Sequence, residues 1–174
     1  MEVLKARHST REFSSQKLPP QVLANLLWAA FGINRPDTGK RTAPSAMNWQ
    51  EIDVYAATAE GLYLYDAKGN KLAPVLAEDV RGLTGVQAYV KDAAVDLVYV
   101  ADLAKTGRSS AEDKNLYTAA DAGFIAQNVY LFCASGGLAV VVRGGIDRMA
   151  LARTMKLRPD QKILLAQTVG YPKK

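Results

Sequence analysis

Two arginines bracket a histidine and a serine near the start of the chain, in Ala6-Arg7-His8-Ser9-Thr10-Arg11-Glu12-Phe13. A planar guanidinium matches a phosphate bidentately, and a hydroxyl and free backbone N–H groups add further donors. The chemistry on offer is anion binding. A solvated basic surface is the plainer account of the same residues, so the weight falls on what the rest of the chain supplies.

His8 is the single histidine and Cys133 the single cysteine, which leaves no zinc-type ligand set, no disulfide and no Ser–His–acid triad built on another histidine. No metal site is expected. Cys133 lies in the apolar run Val129-Tyr130-Leu131-Phe132-Cys133-Ala134, where a buried, inert thiol is expected. The net charge is +5, yet the cations are scattered, with no basic block and no aromatic residues interleaved on a basic face. Nucleic acid is therefore not the expected partner. No apolar run reaches the roughly 18–20 residues of a membrane span. No secretory leader opens the sequence, so a cytoplasmic location is expected, or a periplasmic one if a leader has been removed.

Positioning these residues requires a folded core, and 174 residues suffice for one domain spanning 1–174. Leu18-Pro19-Pro20 starts a helix, with Leu23, Leu26, Leu27, Ala30 and Phe31 on one stripe and Gly32 closing it. A polar, turn-rich loop over 34–41 carries three more cations. Strands are expected over 52–57 and 61–66, with a turn at 67–70 and a returning strand from Lys71. Residues 76–90 read as one or two short helices broken at Gly82 and Gly85. Residues 94–101 read as a central strand. Ser109 or Ser110 caps a long helix running to Gly136-Gly137, with Glu112 and Asp113 in its first turn. That helix is apolar nearly all round, which places it in a core or at a subunit interface and suggests dimerisation. A strand over 138–142, a helix capped by Asp147 and a last strand over 162–170 complete an α+β fold, a mostly antiparallel sheet flanked by helices.

Five separated segments then occur in one order: Arg7-His8-Ser9-Thr10-Arg11; Pro44-Ser45-Ala46-Met47-Asn48-Trp49-Gln50; Asp121 to Asn128 of the long helix; Gly144-Gly145-Ile146-Asp147; and Val169-Gly170-Tyr171-Pro172. In that order the chain resembles a short member of the nitroreductase family of FMN-dependent oxidoreductases. The resemblance implies a homodimer with FMN at the subunit interface. By position, Arg7 and Ser9 match the residues that hold the FMN phosphate, with His8 beside them contributing mainly backbone. Arg11 matches the cation facing the N1–O2 edge of the isoalloxazine. Pro44, Ser45 and Asn48 match the stretch that the partner subunit lays along the cofactor. Gly144 and Gly145 match the turn whose N–H reaches flavin N5, and Lys173 and Lys174 are placed to complete the phosphate site.

The chemistry of the residue types agrees with these roles. A cation at N1–O2 stabilises the reduced flavin anion, and glycines let a backbone approach the ring closely. No side-chain acid or base is needed for hydride transfer. Implied is ping-pong transfer from NAD(P)H to an electron-poor acceptor such as a nitroaromatic or quinone. The alternatives are a flavin-dependent dehydrogenase, as in relatives acting on azoline rings, and a flavin-binding protein without efficient turnover. More remote is a module for a polyanion. The chain departs from the family pattern at Met47, where many relatives have glycine, and at Glu51, where many have proline. It also ends two residues after Pro172, so a less interwoven dimer is expected. A G-x-G-x-x-G fingerprint is missing, but relatives bind the nicotinamide donor in the acceptor's own pocket.

Overall fold

The computed structural model describes residues 1–173. Six strands form one antiparallel sheet: β3 (Ile52–Thr58), β4 (Gly61–Asp66), β5 (Lys71–Leu76), β6 (Val95–Asp102), β7 (Ala139–Arg143) and β8 (Gln161–Gly170), in the spatial order β5-β4-β3-β6-β8-β7. The central position expected for 94–101 falls to β6, where every residue is buried. Its two faces feed different cores. Val95, Leu97, Tyr99 and Ala101 pack with Leu26, Leu27, Phe31, Ile125 and Val129. Val98 and Val100 point the other way, to Ile146, Leu151 and Met155. This period-2 alternation gives a strand covered on both sides its continuous hydrophobic run. Each fully buried Val, Leu or Ile there contributes roughly 1.5–3 kcal/mol by leaving water.

Helix α1 (Glu2–Ala6) opens the chain. Helix α2 (Pro20–Phe31) starts at the prolines and ends at Gly32, burying Leu26, Leu27, Ala30 and Phe31. Helix α3 (Ala111–Gly136) is capped by Ser110, whose Oγ accepts the Asp113 N–H at 3.0 Å. Gly137 stops it in the left-handed region at φ 65°, a conformation that costs glycine nothing. Within one chain, α3 buries Thr118, Asp121, Ala122, Ile125, Ala126, Val129, Tyr130 and Cys133, while Leu116 (62 %) and Phe124 (47 %) face outward. One apolar face is thus left without cover from its own chain. Helix α4 (Arg148–Thr154) is capped by Asp147, which accepts the Ala150 N–H at 3.0 Å.

Two local expectations are modified. The polar loop over 34–41 forms a small ladder, β1 (Ile33–Arg35) with β2 (Lys40–Arg41), turned by Gly39 at φ 64°. Between β5 and β6 the short helices are 3-10 turns at Arg81–Leu83 and Ala88–Lys91. Gly82 sits inside the first, and only Gly85 falls at the break. No helix among the described residues is long and apolar enough to cross a membrane.

Candidate functional site

The arginine-bracketed run is not helical. Helix α1 ends at Ala6, Arg7 is extended at φ −63°, ψ 119°, and the segment runs along the outer edge of β7. There the Val140 C=O accepts the Thr10 N–H at 2.9 Å, and the Val142 N–H donates to Tyr130 Oη at 3.0 Å. Both groups point away from β8, and Gly144 comes next in the same alternation. Ser9 Oγ lies 2.8 Å from Tyr130 Oη, and the Arg7 guanidinium stacks over the Tyr130 ring at 5.3 Å. Tyr130 on α3 therefore anchors Arg7, Ser9 and β7 together. Sequence reasoning missed it, because an aromatic residue in an apolar helix reads as core. The His8 imidazole is exposed and its Nδ1 bonds back to Ala6 C=O at 2.7 Å, so the ring serves local structure.

Arg11 is exposed, one residue beyond the Thr10 bond to β7. Phe13 then bridges to Pro172, and the Lys173 N–H donates to Glu12 C=O at 3.3 Å. This pairing brings the Lys173 backbone beside the Arg11 segment. Lys174 lies outside the described residues.

Pro44, Ser45 and Asn48 belong to a second cluster. The loop turns through the 3-10 segment Ala46–Asn48, and Met47, Asn48 and Gln50 all have positive φ, between 49° and 54°. Left-handed backbone is uncommon outside glycine, so surrounding contacts must hold it. They do: Ser45 Oγ accepts the Gln50 N–H at 2.8 Å, and Asp121 of α3 accepts the Ala46 N–H at 2.8 Å. Arg41 braces the loop from beneath, donating to Phe31 C=O at 2.9 Å and to Gln50 Oε1 at 2.7 Å. A cavity of about 220 Å³ is lined by Arg35, Lys40, Arg41, Pro44, Ser45 and Asn48. Beneath the loop, Glu51 is buried completely, and its carboxyl is pushed up to about 7 by that burial.

Gly144 and Gly145 are exposed at the end of β7. A side chain at Gly144 would meet nothing within 4 Å, whereas one at Gly145 would press on Gln87 and Val86 at 3.0 and 3.3 Å. The turn is clamped from behind. Gly145 C=O accepts the Val86 N–H at 3.1 Å, and buried Arg143 donates to Thr84 C=O at 2.6 Å and to Asp96 at 2.7 Å. Thr168 donates to the same Asp96 oxygen. Burial pushes the Asp96 carboxyl up, and Arg143 and Thr168 oppose that shift. A Cβ at Gly85 would stand 1.9 Å from Arg143 Nη1, so glycine is required for the guanidinium to pass.

One chain thus brings Arg7, Ser9, Arg11, Gly144 and the Lys173 backbone to the neighbourhood of β7. It does not bring Pro44, Ser45 and Asn48 there. That loop meets α3 at Asp121, nine residues or about 14 Å of helix from Tyr130. A further cavity of about 670 Å³ lies apart from both, lined by residues including Lys17, Leu18, Tyr63, Arg81 and Val95. Of the polar α3 residues in the third motif, Asp121 holds the loop, Asn128 donates to Ala29 C=O at 3.1 Å, and Gln127 is exposed.

The sequence profile of the nitroreductase family matches residues 4–171. The chain belongs to that family. As a nitroreductase-family fold it superimposes on a nitroreductase-type crystal structure from Ralstonia eutropha with a TM-score of 0.96, at 44 % identity, covering 100 % of this chain and 83 % of that one. A nitroreductase-like protein of Methanocaldococcus jannaschii is 27 % identical over 94 % of this chain and 87 % of its own. The NADPH:FMN oxidoreductase of Vibrio harveyi, solved with NAD+, shares the nitroreductase fold at a TM-score of 0.74. It is 22 % identical, covering 99 % of this chain and 68 % of that one.

Proposed function

We propose that the chain is an FMN-dependent oxidoreductase acting as a homodimer, which takes hydride from NAD(P)H and passes it to an electron-poor acceptor such as a nitroaromatic or quinone. The observation that carries this reading is the shared edge of β7, where Arg7 and Ser9 meet Tyr130 two residues before the open Gly144 turn. The fit is chemical as well as spatial. Arg7, Ser9, Arg11 and the Lys173 backbone lie on adjoining segments beside β7. The space beside Gly144 is free for a flat ring to approach the backbone. FMN, when bound, supplies a carrier that accepts and releases hydride at N5.

Arg7 and Ser9 bind the phosphate, helped by Lys173 and Lys174 and by the backbone of His8. Arg11 supplies positive charge at the pyrimidine edge of the ring. The Gly144–Gly145 turn donates an N–H toward N5, and the clamp through Arg143 and Val86 keeps that turn from drifting. Pro44, Ser45 and Asn48 of a second copy cover the cofactor. A second copy seated on the uncovered α3 face, with Leu116 and Phe124, suits that arrangement. No side-chain acid or base takes part in the hydride step.

The test is an absorbance spectrum of purified protein after incubation with FMN and gel filtration. About one flavin per chain, bleached by NADH or NADPH under argon, is the expected result. A colourless protein overturns the reading.

A further inference from the structure

None of the proposed cofactor contacts uses Glu51. It sits immediately before β3, beneath the 44–50 turn. It is fully buried, Ser45 Oγ donates to its Oε2 at 3.4 Å, and its Oε1 has no partner among the described residues. Asp121 approaches the same turn from α3, 1 % exposed, and accepts the Ala46 N–H.

Among the described residues, no cation pairs with either acid. On the loop, Arg41 is committed to Phe31 and Gln50. On β3, Asp53 is paired with Lys105 from the turn after β6, and Asp102 at the end of β6 is paired with Arg158. Tyr117 of α3 packs edge-on against Trp49, and α2 carries no charged residue. Two neighbouring buried carboxylates without a counter-ion cannot both stay ionised. One proton held between them removes the conflict and gives the orphaned oxygen a role.

We propose that Glu51 and Asp121 share one proton, and that this proton holds the 44–50 turn in its cofactor-facing shape. Burial raises both acids in the same direction, so the pair titrates as a unit. With the proton in place, Ser45 and Ala46 remain tethered. When it leaves, two anions sit beneath a turn whose left-handed Met47, Asn48 and Gln50 persist only while their surroundings hold them. Both residues are positioning residues, and the proposal rests on assigning Pro44, Ser45 and Asn48 to the cofactor.

The experiment titrates Trp49 emission in flavin-free protein from about pH 5.5 to about pH 8.5, in a Trp28→Phe background, with FMN affinity measured alongside. Trp49 lies in the turn against the Tyr117 ring at 5.9 Å, so it reports the turn without flavin. The expected result is a single emission step together with FMN binding about tenfold weaker at the alkaline end. Both should be flattened by Glu51→Gln, whose amide replaces the shared proton. Asp121→Asn, the converse variant, should also flatten the step. A titration with no step, or a step that survives both variants, overturns the proposal. A step that both variants abolish, in protein that never binds FMN, supports the shared proton and rejects the cofactor assignment.

Discussion

Ser9 Oγ and Tyr130 Oη lie 2.8 Å apart across 121 residues of sequence. Because the Val142 N–H already donates to Tyr130 Oη, the tyrosine proton is free to go to Ser9. The serine proton is then available to an anion. Tyr130 thus orients the hydroxyl, stacks on the Arg7 guanidinium and ties both to the strand that ends at Gly144. Tyr130→Phe should cost on the order of 1–3 kcal/mol, since it leaves the Val142 N–H without its acceptor. It should also weaken FMN binding several-fold. Thermal unfolding with and without FMN separates the two losses.

Arg7 and Arg11 flank the same segment but should fail differently. Arg7 is half-buried against Tyr130, whereas Arg11 stands exposed beyond the Thr10 bond to β7. Arg7→Ala should chiefly lose FMN on gel filtration. Arg11→Ala should retain flavin yet slow its reduction by NAD(P)H in stopped flow. Equal loss of flavin from both variants would contradict these roles.

The Arg143–Asp96 pair is the buried charge most exposed to mutation, at 2 % and 0 % side-chain exposure. Asp96→Ala strands a guanidinium beneath the Gly144 turn and should destabilise the protein by about 3–5 kcal/mol in urea unfolding. Arg143→Lys keeps the charge but cannot reach Thr84, Thr168 and Asp96 together, so a smaller loss is expected.

Stability should fall as pH rises through neutrality. Glu51 is raised from 4.5 and Asp96 from 3.8, each to about 7. The folded state therefore holds protons that the unfolded state releases. Their contribution is complete below about pH 4 and is lost as pH climbs through about 7. Exposed Asp79 and Glu60, lowered by Arg81 and Lys17, act only at more acidic pH. Unfolding free energies from urea titrations should drop between about pH 4.5 and pH 7.5, by on the order of a few kcal/mol. Glu51→Gln should remove its share of the slope.

What the sequence revealed and what it hid follow from the range of each interaction. A cap at Ser109 or Ser110 and another at Asp147 were legible because capping is decided within three residues. The buried face of α2 was legible because burial imposes its period, and β6 was legible as a central strand from its β-branched run. Tyr130 was not, since its role depends on Ser9 and Val142 reaching it from distant segments. Nor was the left-handed run at Met47, Asn48 and Gln50, which is imposed by Asp121, Ser45 and Arg41 and is disfavoured by the residues' own preferences. The sequence could place α3 only in a core or at a subunit interface for the same reason: composition reports apolar surface without reporting what covers it.

Gly144 and Gly145 give the sharpest separation of fold from function. A methyl at Gly144 meets no atom within 4 Å, and its φ lies outside the left-handed region, so Gly144→Ala should leave stability unchanged or raise it by about 0.4–1 kcal/mol. At Gly145 the methyl presses on Gln87 Nε2 and Val86 Cγ2, so Gly145→Ala should destabilise unless those side chains shift. If the open side of Gly144 is where a flavin ring approaches the backbone, its alanine variant must lose FMN affinity or slow flavin reduction while unfolding like the parent. The paired measurement is a melting curve and a flavin titration on both variants. A Gly144→Ala protein that matches the parent in both would place the ring elsewhere. A large loss of stability at Gly144 would instead mean that this side of the turn is packed.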